Sequence, residues 1–164
     1  MAGATEVWQR GPVPGYDPWL MPVVHALLQA GEDIDALAAQ VSQAQVWTTP
    51  GGAASIGFHV RHMGGALDRL FTYARGEQLS DAQKQFARAE AEPGAPFSEV
   101  VAEAHRAIEA ALAQLRATRA DVLLTARGVG RAQLPSTTLG LLMHAAEHST
   151  RHVGQAVTTA KILA

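Results

Sequence analysis

The sequence predicts an all-α four-helix bundle. Two observations carry this: four long segments repeat their apolar residues at three- and four-residue spacing, and two long connections join them where short turns would tie successive helices into an up-and-down array. A chain of 164 residues suits one domain, 1–164, with a sizeable core and no need of staples. There is no internal repeat or low-complexity tract.

The first fifteen residues hold Gly11, Pro12, Pro14 and Gly15 and read as an N-terminal arm on the surface, or one packed by Trp8. A first helix near 18–43 follows, with Leu20, Val24, Leu27, Ile34, Ala38 and Val41 on one stripe and Glu32, Asp33 and Gln40 off it. Pro22 fits only its first turn, where a missing N–H does no harm. Trp47 to Gly52 reads as a turn, after which Ser55 or a neighbour caps a second helix near 54–76, stopped by Gly76. On that helix Ile56, Val60, Met63, Leu67 and Leu70 make one stripe. Ser55, His59, His62, Ala66, Arg69 and Tyr73 make an adjacent one, too polar for plain core.

Ser80-Asp-Ala-Gln83 has the form of a capping box opening a short helix, which Pro93, Gly94 and Pro96 end. A third long helix, 97–117, keeps the period through Phe97, Val101, Ala104, Ile108, Ala111 and Leu115. From Thr118 to Pro135 the pattern is lost and a long crossover is expected, Gly128-Val-Gly130 being too isolated to read as a phosphate loop. The last helix, 137–162, places Leu141, His144, His148, His152, Gln155 and Thr159 on one stripe. Leu142, Ala145, Ser149, Val153, Ala156 and Ala160 form its packing face. The long connections at 77–96 and 118–136 allow parallel neighbours.

Composition excludes several functions. With 13 basic and 15 acidic residues and no basic cluster, neither nucleic acid nor an anionic membrane surface is an expected partner. No stretch approaches the roughly 20 apolar residues that span a bilayer, and residues 1–15 lack a basic region followed by an apolar run, so the expectation is a soluble, cytoplasmic protein. Without cysteine, any metal must use nitrogen and oxygen donors, and any thiol chemistry needs a cosubstrate.

The histidines carry the chemistry. His148 and His152 stand one helical turn apart on one face, and a third imidazole from a facing helix, His62, would complete a three-nitrogen metal site. His144 and His148 form a second pair of the same spacing. Spacing alone is equally compatible with imidazoles bound to carbonyls or carboxylates. Around them, Asp68 and Glu147 are candidate acceptors of an imidazole N–H, or solvated groups. Arg69 and Arg151 could hold an anionic substrate, with ordinary ion pairing as the plainer role. Gly64 and Gly65 suit close helix approach or room for a ligand. Trp47 and Tyr73 read as packing residues, Tyr73 with a polar tip that could reach a cleft.

Two stretches, Ser55-Ile-Gly-Phe-His-Val-Arg-His62-Met-Gly-Gly-Ala-Leu-Asp-Arg69 and His148-Ser-Thr-Arg-His152-Val-Gly154-Gln155, together resemble the DinB/YfiT-like superfamily over nearly the whole chain. The resemblance implies an up-down-down-up bundle with His62, His148 and His152 as metal ligands. Gly154-Gln155 after His152 selects that pair over His144 with His148, and leaves His59 and His144, with Arg69, Tyr73, Arg151 and Gln155, as outer or cleft-lining residues. Val153 departs from the family, many members of which have Arg there. The implied cofactor is a divalent ion, Zn or Ni, with a low-molecular-weight thiol as possible cosubstrate. The implied activity is a metal-dependent thiol S-transferase or hydrolase acting on a small molecule. The family name implies stress expression, and the family implies a homodimer, which a 48% apolar composition on four long helices also favours. Two other readings remain: a non-catalytic metal- or ligand-binding module, and a metal-free bundle whose histidines are satisfied by hydrogen bonds.

Overall fold

Each long helix begins where a side chain accepts one of its opening N–H groups or a proline, lacking an N–H, removes one. In the computed structural model, which describes residues 5–164, Pro22 sits in the first turn of α1 (Met21–Ala38). Ser42 and Gln45 form a capping box around the one-turn α2 (Gln43–Val46). The Ser55 hydroxyl accepts the Phe58 N–H at 3.1 Å to open α3 (Ile56–Ala74), and Ser80 with Gln83 boxes α4 (Asp81–Ala89). Pro96 precedes α5 (Phe97–Ala117), and the Thr137 hydroxyl accepts from Gly140 at 3.0 Å to open α6 (Thr138–Leu163).

Side-chain pairings fix the directions of the four long helices. Across α3 and α6, His59 meets His152, His62 meets His148, and the Thr138 hydroxyl donates to the Ala74 carbonyl, so the two run antiparallel. Across α3 and α5, Arg61 pairs with Glu103 and Gln114 donates to the Phe71 carbonyl, so these run parallel. His105 on α5 bonds Asp35 while Arg116 lies over the Tyr16 ring, which sets α5 antiparallel to α1. The arrangement is up-down-down-up. Leu20, Val24, Leu27, Ile34, Ile56, Val60, Met63, Leu67, Leu115 and Leu142 fill the centre, all at or near zero exposure. No helix among the described residues is long and apolar enough to cross a membrane.

Three local expectations are corrected. The first helix ends at Ala38, not near 43, because the Ser42–Gln45 box starts a new helix and strands Val41 in the link between them. In the arm, Trp8 is exposed and Val7 is the anchor: its side chain is buried and its N–H donates to Gln29 Oε1 at 2.9 Å. The stretch after α5 holds a hairpin, β1 (Ala126–Val129) paired antiparallel with β2 (Leu134–Thr137). Its strands are four residues long and bury no residue fully, too short to register as alternation. Arg127 fastens the hairpin to the C-terminal end of α3 through a 2.8 Å bond to the Ala74 carbonyl, and Gly130, at φ 67°, makes its turn. The hairpin delivers the chain to Thr137, and so sets where α6 starts.

Candidate metal centre

Antiparallel α3 and α6 bring two histidines of each helix face to face. His62 Nε2 lies 3.0 Å from His148 Nε2, and His59 Nδ1 lies 3.0 Å from His152 Nδ1. The ring centres of His152 and His62, and of His152 and His148, are 4.5 Å apart. One nitrogen from each of His62, His148 and His152 falls within 4.8 Å of the other two. Phe58 stacks on the His62 ring, 5.2 Å between centres and 16° between planes, and closes one side.

A carboxylate from the connection after α4 completes the cluster. Glu90 is buried, accepts from His62 Nδ1 at 2.7 Å through one oxygen, and pairs with Arg69 at 2.5 Å through the other. Burial pushes its carboxyl up, but the bonds from His62 and Arg69 outweigh burial and hold it below its ordinary range. An ionised Glu90 fixes the His62 tautomer with its proton on Nδ1 and its Nε2 lone pair toward His148. Gly65 makes the space: a Cβ there would collide with Glu90 Oε1, and would stand 2.7 Å from the Phe86 ring and 2.9 Å from the Arg69 guanidinium.

The remaining imidazoles are kept neutral. Burial lowers His59, with His62 adding repulsion; burial, then His62, His144 and Arg151, lower His148; burial and the surrounding histidines bring His152 down to about 4. Neutral imidazole is the form that ligates. Among the described residues His148 Nδ1 is buried without a hydrogen-bond partner, so the cluster is not satisfied by its own hydrogen bonds. Two Nε2 atoms facing each other can share one proton or one cation, and with Zn–N distances of about 2.0–2.1 Å two ligands of one ion must approach within about 4 Å. The three-imidazole set fits a divalent ion.

The other sequence candidates are distributed as follows. His59 belongs to the cluster. His144 is half exposed, at the rim, with its ring 5.6 Å from that of His148 and its Nδ1 3.5 Å from Glu147. Asp68 accepts from Gln83 and Glu147 pairs with Arg151 at the surface, so neither is the outer partner of a proposed ligand; Glu90, which sequence reading missed, has that place. Its only sequence signal is an acidic residue in a predicted connection. Arg69 makes an interhelical ion pair with Glu90. Gln155 and Arg151 line an open groove of about 720 Å³ with His59, Thr159 and Ile162. Tyr73 is partly buried and packs against the core. Gly64 serves close helix approach, its would-be Cβ 3.1 Å from Ala104 Cα.

Fold and centre together define a class: an up-down-down-up helical bundle with three converging imidazoles between its second and last long helices. The chain belongs to the DinB superfamily, whose model matches residues 26–156, a stretch that contains every residue of the cluster. No curated protein matches it. Among solved structures, a conserved protein from Enterococcus faecalis superposes with a TM-score of 0.71 at 18% identity, covering 87% of this chain and 95% of its own. YfiT from Bacillus subtilis, described as "a probable metal-dependent hydrolase with an unusual four-helix bundle topology", gives a TM-score of 0.71 at 12% identity over 93% of each chain. At these identities the likeness shows the fold.

Proposed function

We propose that the protein is a divalent-metal-dependent enzyme in which His62, His148 and His152 hold the ion, Zn or Ni, and that it acts on a small molecule as a hydrolase or as a thiol S-transferase with a low-molecular-weight thiol as cosubstrate. The observation that carries this is the convergence of three imidazoles from two helices on one point, two of them, His148 and His152, held neutral by burial. When bound, such an ion lowers the pKa of a water or thiol it holds and so supplies a nucleophile near neutral pH. The chain's own residues do the rest. Glu90 orients His62, Phe58 shields one side from water, and the groove with Arg151 and Gln155 offers polar contacts for substrate beside the cluster.

Elemental analysis of untagged protein purified without added metal tests the reading. Wild type is expected to carry one equivalent of ion. His152→Ala removes one of three protein ligands and is expected to lose it, whereas His105→Ala, whose ring bonds Asp35 on the far side of the bundle, keeps it. Equal metal in the two variants after identical dialysis would leave the histidines as a hydrogen-bonded cluster of a metal-free bundle. An ion found fully enclosed, with no exchangeable water, would favour a structural module. We also propose a homodimer; sedimentation at micromolar concentration checks it, and a sharp monomer boundary overturns it.

A further inference from the structure

Deepening the metal-centre reading and resting on it, we infer that all three histidines ligate through Nε2, and that Glu90 and His59 are positioning residues that accept the Nδ1–H of His62 and His152 respectively. A neutral imidazole has one N–H and one lone pair, so whichever nitrogen is engaged as a donor leaves the other as the ligand atom. For His62 the assignment follows from the carboxylate oxygen of Glu90 on Nδ1 at 2.7 Å, the other oxygen being taken by Arg69, which leaves Nε2, the atom that faces His148. For His148 the same contact points Nε2 at the shared centre, while its Nδ1 is buried without a partner.

His152 is the case that needs argument. Its Nδ1 is 3.0 Å from His59 Nδ1, so one of the two must donate and the other accept. If His152 ligated through Nδ1, that nitrogen would carry no proton and would already be committed to His59 as an acceptor, so the short contact would have to break. If His152 ligates through Nε2, its Nδ1–H donates to the lone pair on His59 Nδ1 and the contact is kept. His59 then carries its proton on Nε2. Because His59 also lines the open groove, one buried imidazole joins the groove wall to a ligand of the centre.

The outer support is therefore uneven. His62 is held by a carboxylate that is itself held by Arg69, His152 by a neutral imidazole, and His148 by no polar group among the described residues. Outer partners of this kind are worth about 10–100-fold in metal affinity. The order of loss on removal should be Glu90 first, then His59.

The test has two arms. In metal-free protein, ¹⁵N–¹H correlation of the histidine rings is expected to show the Nδ1–H tautomer for His62 and His152 and the Nε2–H tautomer for His59. In Zn-loaded protein the same spectra should show Nδ1–H on His62, His148 and His152. Chelator competition should then give a roughly tenfold or greater loss of Zn affinity for His59→Ala, substantially recovered in His59→Asn, whose amide oxygen can accept near the position of Nδ1. A protein that shows the metal-free tautomers but takes up no metal overturns the enzyme reading while keeping the His59 and Glu90 assignments. An Nε2–H tautomer on His152, or His59→Ala binding Zn as tightly as wild type, overturns the inference while leaving the metal centre standing.

Discussion

Replacing Gly65 with alanine should damage the metal centre from a residue that touches no proposed ligand. Gly65 lies on α3 beneath Glu90, and the added methyl collides with Glu90 Oε1 and comes 2.7 Å from the Phe86 ring and 2.9 Å from the Arg69 guanidinium. Three groups cannot all yield at once. Phe86 belongs to α4 and Arg69 to α3, so the flexible carboxylate moves, and with it go the bonds to His62 at 2.7 Å and Arg69 at 2.5 Å. Each charge-assisted bond contributes about 1.5–3 kcal/mol, and Gly→Ala in a helix returns about 1 kcal/mol. A net loss of about 2–5 kcal/mol follows, a fall in melting temperature of roughly 4–20 °C for a domain of this size.

Metal affinity should fall with it by about 10–100-fold, because His62 loses the group that fixes its tautomer. The control is Gly64→Ala, one residue away. Its methyl meets Ala104 Cα at 3.1 Å, so it pushes α3 from α5 and costs about 1–3 kcal/mol of stability without touching Glu90. Thermal melts and chelator competition on the two variants separate the effects. Gly65→Ala retaining wild-type Zn affinity, or Gly64→Ala losing as much affinity as Gly65→Ala, would refute the reasoning.

Two further outcomes are expected. Gly154→Ala should stabilise the protein by about 0.5–1 kcal/mol in urea denaturation, since a Cβ there meets nothing within 4 Å and glycine is a poor helix former. Metal-free protein should lose stability in mild acid: the folded-state values of His59, His148 and His152 lie below the ordinary histidine value, so their contribution is whole above about pH 6.5 and is lost as pH falls through the folded values, about 4 for His152. Glu90, also lowered, adds a loss in the same direction below the ordinary carboxylate range. His152 alone should account for about 1–2 kcal/mol after allowance for its solvent exposure. A denaturation midpoint flat from pH 7 to 4.5 would contradict this.

The long helices were legible because their signal is repeated. In α5 the buried Phe97, Ala104, Ile108, Ala111 and Leu115 fall on the stripe read from the sequence, with Val100 buried in place of its neighbour Val101, and in α6 the buried Leu142, Ala145, Ser149, Val153 and Ala156 fall on the packing face, which also takes in Leu141, Ala146 and Thr159 beside it. Where an element is a single turn or four residues long there is no repeat to read. That is why the sequence carries the first helix on to about 43 and shows no sign of α2, and why the hairpin reads as a featureless crossover. In the arm, size favours Trp8 over Val7 as the packing residue, while the fold places the smaller side chain inward and leaves the indole at the surface.

The centre divides along the same line. His62, His148 and His152 could be picked out because helix periodicity converts sequence spacing into a shared face, and the family's motif supplies the pairing of faces. Glu90 has no such coordinate. It sits at the end of α4, where its position depends on how a nine-residue helix folds back over α3, and that is decided by contacts made after both helices exist: Gln83 on Asp68 and Thr72, and Arg69 on Glu90 itself. Gly65 shows the dependence in reverse. In the sequence it is half of a Gly-Gly step with several explanations, and only the folded-back connection selects one. The short helix α4 is thus an outer wall of the centre, so a change that unseats it, such as breaking the Ser80–Gln83 cap, should loosen His62 without altering any histidine.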